Sequence, residues 1–173
     1  MVGEVSVGVL MGSSSDRSIA DEVRLMLRKF GISHEVRVLS AHRNPAGVAD
    51  YASTAEERGI DIVIAIAGKA AHLAGVCASM TVLPVIGVPV GTSDLGGMDS
   101  LFSVVQMPKG VPVATVAVNG GRNAGILAAE ILGVKAPAVR EKLREFKAEL
   151  AEAGQAEANS GGGPVEEDQP TEG

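Results

Sequence analysis

Ser40, His42 and Arg43 fall within four consecutive positions of the stretch Ser40-Ala41-His42-Arg43-Asn44-Pro45. A hydroxyl donates to an oxyanion, and a guanidinium clamps a phosphate or carboxylate with two parallel hydrogen bonds. An imidazole changes charge near neutral pH. Together they are a toolkit for an anionic substrate. The same residues also read as a plain helix start, with Asn44 as N-cap, Pro45 at the first helical position and His42 as an ordinary loop histidine.

Other stretches carry chemistry of the same kind. Gly12-Ser13-Ser14-Ser15-Asp16 lacks the Gly-Lys-Ser/Thr of a P-loop and the three-glycine spacing of a dinucleotide site, so it does not imply a triphosphate. It does offer hydroxyls and free backbone N–H groups at a helix N-terminus, which suits one phosphate. Asp16 would repel that phosphate, so its uses are accepting hydrogen bonds from sugar hydroxyls or capping the helix, and capping is the expected role of this residue taken alone. In Gly68-Lys69-Ala70-Ala71-His72-Leu73, Lys69 stands beside the end of a buried strand and faces either the site or the solvent rim. His72 reads equally as a ligand contact or as a satisfied core histidine. His34 precedes its strand and belongs at the opposite end, as a surface histidine. Cys77 is the only cysteine, which leaves no intrachain disulfide and no cysteine-based metal site; between Val76 and Ala78 it reads as a small buried hydrophobe.

The elements that position these residues alternate. Apolar runs at 5–11, 62–67, 84–88 and 113–118 read as strands, with a less apolar one at 35–39. Pro89 is expected to end the fourth, because it cannot donate to a ladder. Helical spacing of Ile19, Val23, Met26, Leu27 and Phe30 gives a helix closed by Gly31, and further helices are expected over 45–58, through Met80, over 100–106 and over 123–132. Five strands alternating with helices imply a parallel sheet of order 2-1-3-4-5 with helices on both faces. Ligands in such a sheet bind outside the carboxyl ends of the strands. That rule gathers Ser13 and Asp16, then Ser40, His42 and Arg43, then Lys69 and His72, then Thr92 and Ser93. A last helix over 137–153 has an apolar stripe of Val139, Leu143, Phe146 and Leu150, and it packs either on its own domain or on another subunit.

Composition bounds the function. A chain of 173 residues with 46% hydrophobic content forms one domain, expected over 1–153. Residues 154–173 are rich in Gly, Pro and acid and are expected to be a disordered tail. The net charge of −6 falls to −1 once the five carboxylates of that tail are set aside. A nearly neutral body with 2% aromatic residues offers neither a basic face nor a stacking platform, so no nucleic-acid partner is expected. No run is long enough to span a membrane and the first residues lack the pattern of a signal peptide, so a cytoplasmic protein is expected. The loops have no aromatic residues for a flavin. Ala67-Gly68-Lys69 stands where a phospho-acceptor domain needs Asp. A non-catalytic nucleotide-binding module, which would need the phosphate loop but not His42, stays open.

Met11-Gly12-Ser13-Ser14-Ser15-Asp16, Ser40-Ala41-His42-Arg43, Ala67-Gly68 with Ala70-Ala71-His72-Leu73, Gly87-Val88-Pro89-Val90, and Asp99-Ser100-Leu101 with Gln106-Met107-Pro108 occur in one order. Together they resemble the PurE family of N5-carboxyaminoimidazole ribonucleotide mutases, from about residue 5 to 132. The resemblance implies a flavodoxin-like, three-layer αβα fold, a homo-octamer, and no metal or organic cofactor. It implies a ribonucleotide substrate and carbon dioxide, with His42 as the catalytic acid and base. Substrate contacts are implied at Ser13, Ser15, Asp16, Ser40, Arg43, Gly68, Lys69, Ala70, His72 and Leu73. Lys69 and Ala74 depart from the mutase pattern, which has Gly and Pro there. A basic residue at position 69 is instead similar to the related class that carboxylates aminoimidazole ribonucleotide directly, and that activity is the alternative.

Overall fold

The structure, a computed structural model, describes residues 6–161. It opens on β1 (Ser6–Met11), apolar on both faces and buried from Val7 onward. A 3-10 turn over Ser14–Asp16 leads into α1 (Arg17–Lys29), which buries Ile19, Val23, Met26 and Leu27. Gly31, at φ 70°, then turns the chain, as only a residue without a Cβ does freely. There follow β2 (Ser33–Val38), α2 (Pro45–Thr54), β3 (Ile62–Gly68), α3 (Leu73–Met80), β4 (Val85–Val90) and α4 (Met98–Val105). The last elements are β5 (Ala114–Thr115), α5 (Gly121–Gly133) and α6 (Pro137–Gly161).

All five strands are parallel, in the expected order β2-β1-β3-β4-β5. Successive strand residues point to opposite faces, so each face needs its own cover. Val7, Val9, Ile64 and Ile86 pack under α1, α5 and α6, whereas Leu10, Val63 and Ala65 pack under α2, α3 and α4. This is the three-layer αβα arrangement. β3 lies in the middle, and only its last residue, Gly68, is not buried.

Register sets the site. Met11 pairs with Val38 and Ile66, and Gly68 pairs with Val90, so the strands finish at one rim. Gly12 N donates to Ile66 O and Leu39 N donates to Met11 O, both at 2.9 Å, which carries the ladders one step into the loops. The loops after β1, β2, β3 and β4 therefore emerge side by side.

Several boundaries differ from the sequence reading, each for a local reason. Pro89 lies inside β4 rather than ending it: its carbonyl accepts from Asn119 N at 2.8 Å, on the side where β5 has already left the regular ladder, so its missing N–H breaks no pairing. β5 is two residues instead of the expected 113–118, although Val116 N still bonds Gly87 O at 3.1 Å. α2 stops at Thr54, not Arg58, and the chain turns through Gly59 at φ 78°. α6 continues to Gly161 instead of ending at 153, so residues 154–161 of the expected tail are helical; the rest of that tail, 162–173, lies outside the described residues. α6 packs on its own domain. Val139 and Leu143 are buried, and Phe146 meets Phe30 edge-on at 5.6 Å, whereas Leu150 is 52% exposed. Among the described residues no helix is long and apolar enough to cross a membrane.

Candidate active site

Each loop at the rim is shaped by its own short-range bonds. Asn44 caps α2 with its side chain, accepting from Gly47 N at 3.0 Å, and Pro45 follows at the first turn. The turn before it is closed by Asn44 N to Ser40 O at 2.8 Å and Arg43 N to Ser40 Oγ at 3.3 Å. That turn presents His42 and Arg43 outward, so the stretch is the expected helix start and its imidazole and guanidinium stay accessible. Arg43 Nη2 donates to Gly12 O at 2.8 Å, which ties the loop after β2 to the loop after β1.

In the loop after β1, Ser13 Oγ accepts from Ser15 N at 3.3 Å and opens the 3-10 turn. Asp16 occupies the capping position of α1, yet its side chain makes no cap bond; its Oδ1 accepts from Ser15 Oγ at 3.0 Å. The capping role expected for Asp16 is therefore absent. It is 8% exposed, and burial raises its carboxyl above the ordinary value, against the opposing hydrogen bonds from the Ser15 side chain and Ser13 backbone.

The loop after β3 brings the largest departures. His72 is exposed at the start of α3 rather than a core histidine, and its Nδ1 lies 2.8 Å from His42 Nε2. Lys69 takes the left-handed backbone at φ 55°, a conformation that favours glycine. Its Nζ pairs with Asp94 Oδ2 at 2.5 Å, linking the loops after β3 and β4. That pair raises the Lys69 ammonium and lowers the Asp94 carboxyl from their ordinary values. The sequence offered no sign of Asp94, 25 residues away.

One cavity of about 540 Å³ opens among these loops. Ser13, Ser15, Asp16, Ser40, His42, Arg43, Gly68, Lys69, Ala70, His72 and Leu73 line it together. Gly12, Ala41, Ala67, Val90 and Thr92 complete the wall, and Ser93 is not among its lining residues. Among the described residues Arg43 makes no ion pair, so it is the cation left to an anionic ligand, whereas Lys69 is matched by Asp94. His34 stands at the amino end of β2, remote from the rim, with Nδ1 3.1 Å from Ile32 O. Cys77 is fully buried and its thiol is pushed up to about 12 by desolvation, so it is inert packing. Among the described residues no three His, Cys, Asp or Glu side chains gather as a metal site.

The model of the AIR carboxylase family matches residues 6–153 of this chain. The chain belongs to the AIR carboxylase family. Within the AIR carboxylase family it is 58% identical over 141 residues to the N5-carboxyaminoimidazole ribonucleotide mutase of Thermotoga maritima, covering 82% of each chain. It is 52% identical over 144 residues to the mutase of Pyrococcus horikoshii, covering 83% of this chain and 81% of the relative. Its fold is similar to the crystal structure of Treponema denticola PurE, with a TM-score of 0.82, 26% identity, and 90% of this chain and 98% of the other covered.

Proposed function

We propose that the chain is an N5-carboxyaminoimidazole ribonucleotide mutase, converting N5-carboxyaminoimidazole ribonucleotide to 4-carboxy-5-aminoimidazole ribonucleotide in purine biosynthesis. The observation that carries this reading is an exposed imidazole, His42, in one cavity with an unpaired guanidinium and a serine-rich helix start. The cavity volume suits a single nucleotide. Arg43 with Ser13 and Ser15 holds the phosphate, and Asp16 accepts from the ribose hydroxyls. Ser40 braces the turn, while Gly68, Ala70, His72 and Leu73 surround the ring and the carbon dioxide.

The chemistry balances on one group. As the bond between the exocyclic nitrogen and the carboxyl carbon breaks, its electrons stay on nitrogen, which takes a proton from cationic His42. The ring carbon then attacks the released carbon dioxide, and neutral His42 removes the hydrogen from that carbon, restoring aromaticity. The active form in this reading is a cytoplasmic homo-octamer. Engagement of Lys69 by Asp94 at the rim favours the mutase over direct carboxylation.

Two assays test this. The purified protein is given the N-carboxylated ribonucleotide, or aminoimidazole ribonucleotide with bicarbonate, and the carbon-carboxylated product is measured. Turnover of the first is expected, with His42→Asn slower by about 10²–10⁴-fold. Efficient turnover of only the second would make the chain a direct carboxylase, and binding without turnover of either would make it a non-catalytic module.

A further inference from the structure

The cavity holds two imidazoles in contact, whereas the reaction uses one. His42 Nε2 and His72 Nδ1 are 2.8 Å apart, with ring centroids separated by 5.0 Å and ring planes at 82°. At that distance one nitrogen carries the hydrogen and the other a lone pair. Arg43 bonds Gly12 O and Lys69 bonds Asp94, while Asp16 bonds Ser15. Among the described residues no other group bonds either ring, which leaves His42 Nδ1 and His72 Nε2 as the free nitrogens.

What the chemistry asks of His42 fixes the direction of this bond. A group that protonates one atom and deprotonates another must keep its support both as a cation and as a neutral ring. If His72 Nδ1–H donated to His42 Nε2, neutral His42 would carry its hydrogen on Nδ1 and have no lone pair to spare. Protonating it would then set two N–H groups against each other. If His42 Nε2–H donates to His72 Nδ1, the contact is the same in both states, and Nδ1 of His42 exchanges the proton. The frame agrees with this second arrangement. His72 is rooted at the start of α3, with His72 N bonded to Ala70 O at 2.9 Å and Val76 N bonded to His72 O at 3.0 Å. The positive end of a helix suits a lone pair there better than a second N–H.

We propose that His72 is the positioning residue for His42: it holds the neutral ring in the Nε2–H form and makes Nδ1 the atom that gives and recovers the proton. The proposal rests on the mutase reading. No proton passes through His72; the proton that His42 Nδ1 gives to the exocyclic nitrogen stays there and is replaced at the same Nδ1 by the one removed from the ring carbon. The logic is that of any base oriented by a third group.

The chain has three histidines, so a ¹⁵N-histidine-labelled sample gives an assignable spectrum, with His34→Gln and His42→Asn identifying the signals. Long-range ¹⁵N–¹H correlation at a pH where the rings are neutral is expected to show His42 as Nε2–H, and a mixture of tautomers in His72→Ala. His72→Ala is expected to lose about 10- to 100-fold in kcat, a larger factor than its change in KM; in His72→Asn the amide oxygen stands near the position of Nδ1, so the Nε2–H form of His42 and part of the lost kcat are expected to return. An Nδ1–H form of His42 in the parent protein, or a folded His72→Ala enzyme with parental kcat, overturns the proposal. A parent protein with the Nε2–H form that does not interconvert the two carboxylated ribonucleotides overturns the mutase reading and leaves the tautomer assignment standing.

Discussion

Asp16 is a carboxylate in a place that disfavours its charge. Its folded-state affinity for a proton is raised by burial, so the stability it contributes is full below its ordinary value of 3.8 and is lost as pH rises through the raised one. Asp16→Asn is therefore expected to melt higher than the parent at pH 7, with the gap closing as pH falls towards 4, while KM for the ribonucleotide rises about tenfold or more. Thermal melts across that range check the first part and initial rates the second. Lys69 is the other residue at odds with its setting, since a side chain at φ 55° strains a position that glycine occupies freely. Lys69→Gly loses the Asp94 pair but relieves that strain. Its melting temperature should be unchanged or higher by up to about 4 °C, with turnover of the N-carboxylated ribonucleotide retained. Loss of that turnover would assign Lys69 a direct role in the reaction.

Between elements, one tight seam that bears on the site is α1 against α5. A Cβ on Gly121 would lie 2.5 Å from Ile19 O, and one on Gly125 would lie 2.8 Å from Met26 Cβ and 3.0 Å from Val23 O. The glycines of α5 let α1 settle onto the sheet, and α1 begins at the loop that carries Ser13 and Asp16. Gly125→Leu is expected to lower stability by about 1–3 kcal/mol, read as a lower urea midpoint, and to weaken substrate binding by displacing that loop. The amphipathic spacing of α1 was legible because it faces a single layer. β5 and the end of α2 were not, since apolar residues near an edge or a turn look the same whether or not they join a ladder.

At the scale of the molecule, the unexplained surface is α4. Met98, Phe102 and Val105 recur at helical spacing and stay exposed, as does Leu95 in the turn before the helix. An apolar stripe of this kind suits a surface that another protein covers, which is compatible with the self-association proposed above. Phe102→Lys is expected to lower the mass measured by light scattering while far-ultraviolet circular dichroism is unchanged. An unaltered mass would remove α4 from the assembly interface.

The sequence alone determined the strand order, the rim of the sheet at which the loops gather and most of the residues that line the cavity there, although Ser93, placed at the rim by the same rule, is not one of them. Hydrophobic period and connection handedness are local or topological facts, and they leave one rim for the loops. The tertiary structure decided which of those residues touch. His42 and His72 are 30 positions apart, Arg43 and Gly12 are 31 apart, and Lys69 and Asp94 are 25 apart. No periodicity encodes such pairs, because each depends on the angle at which two loops leave neighbouring strands. Asp16, expected as a cap, is instead a buried carboxylate at the cavity wall, held by Ser15 of its own loop.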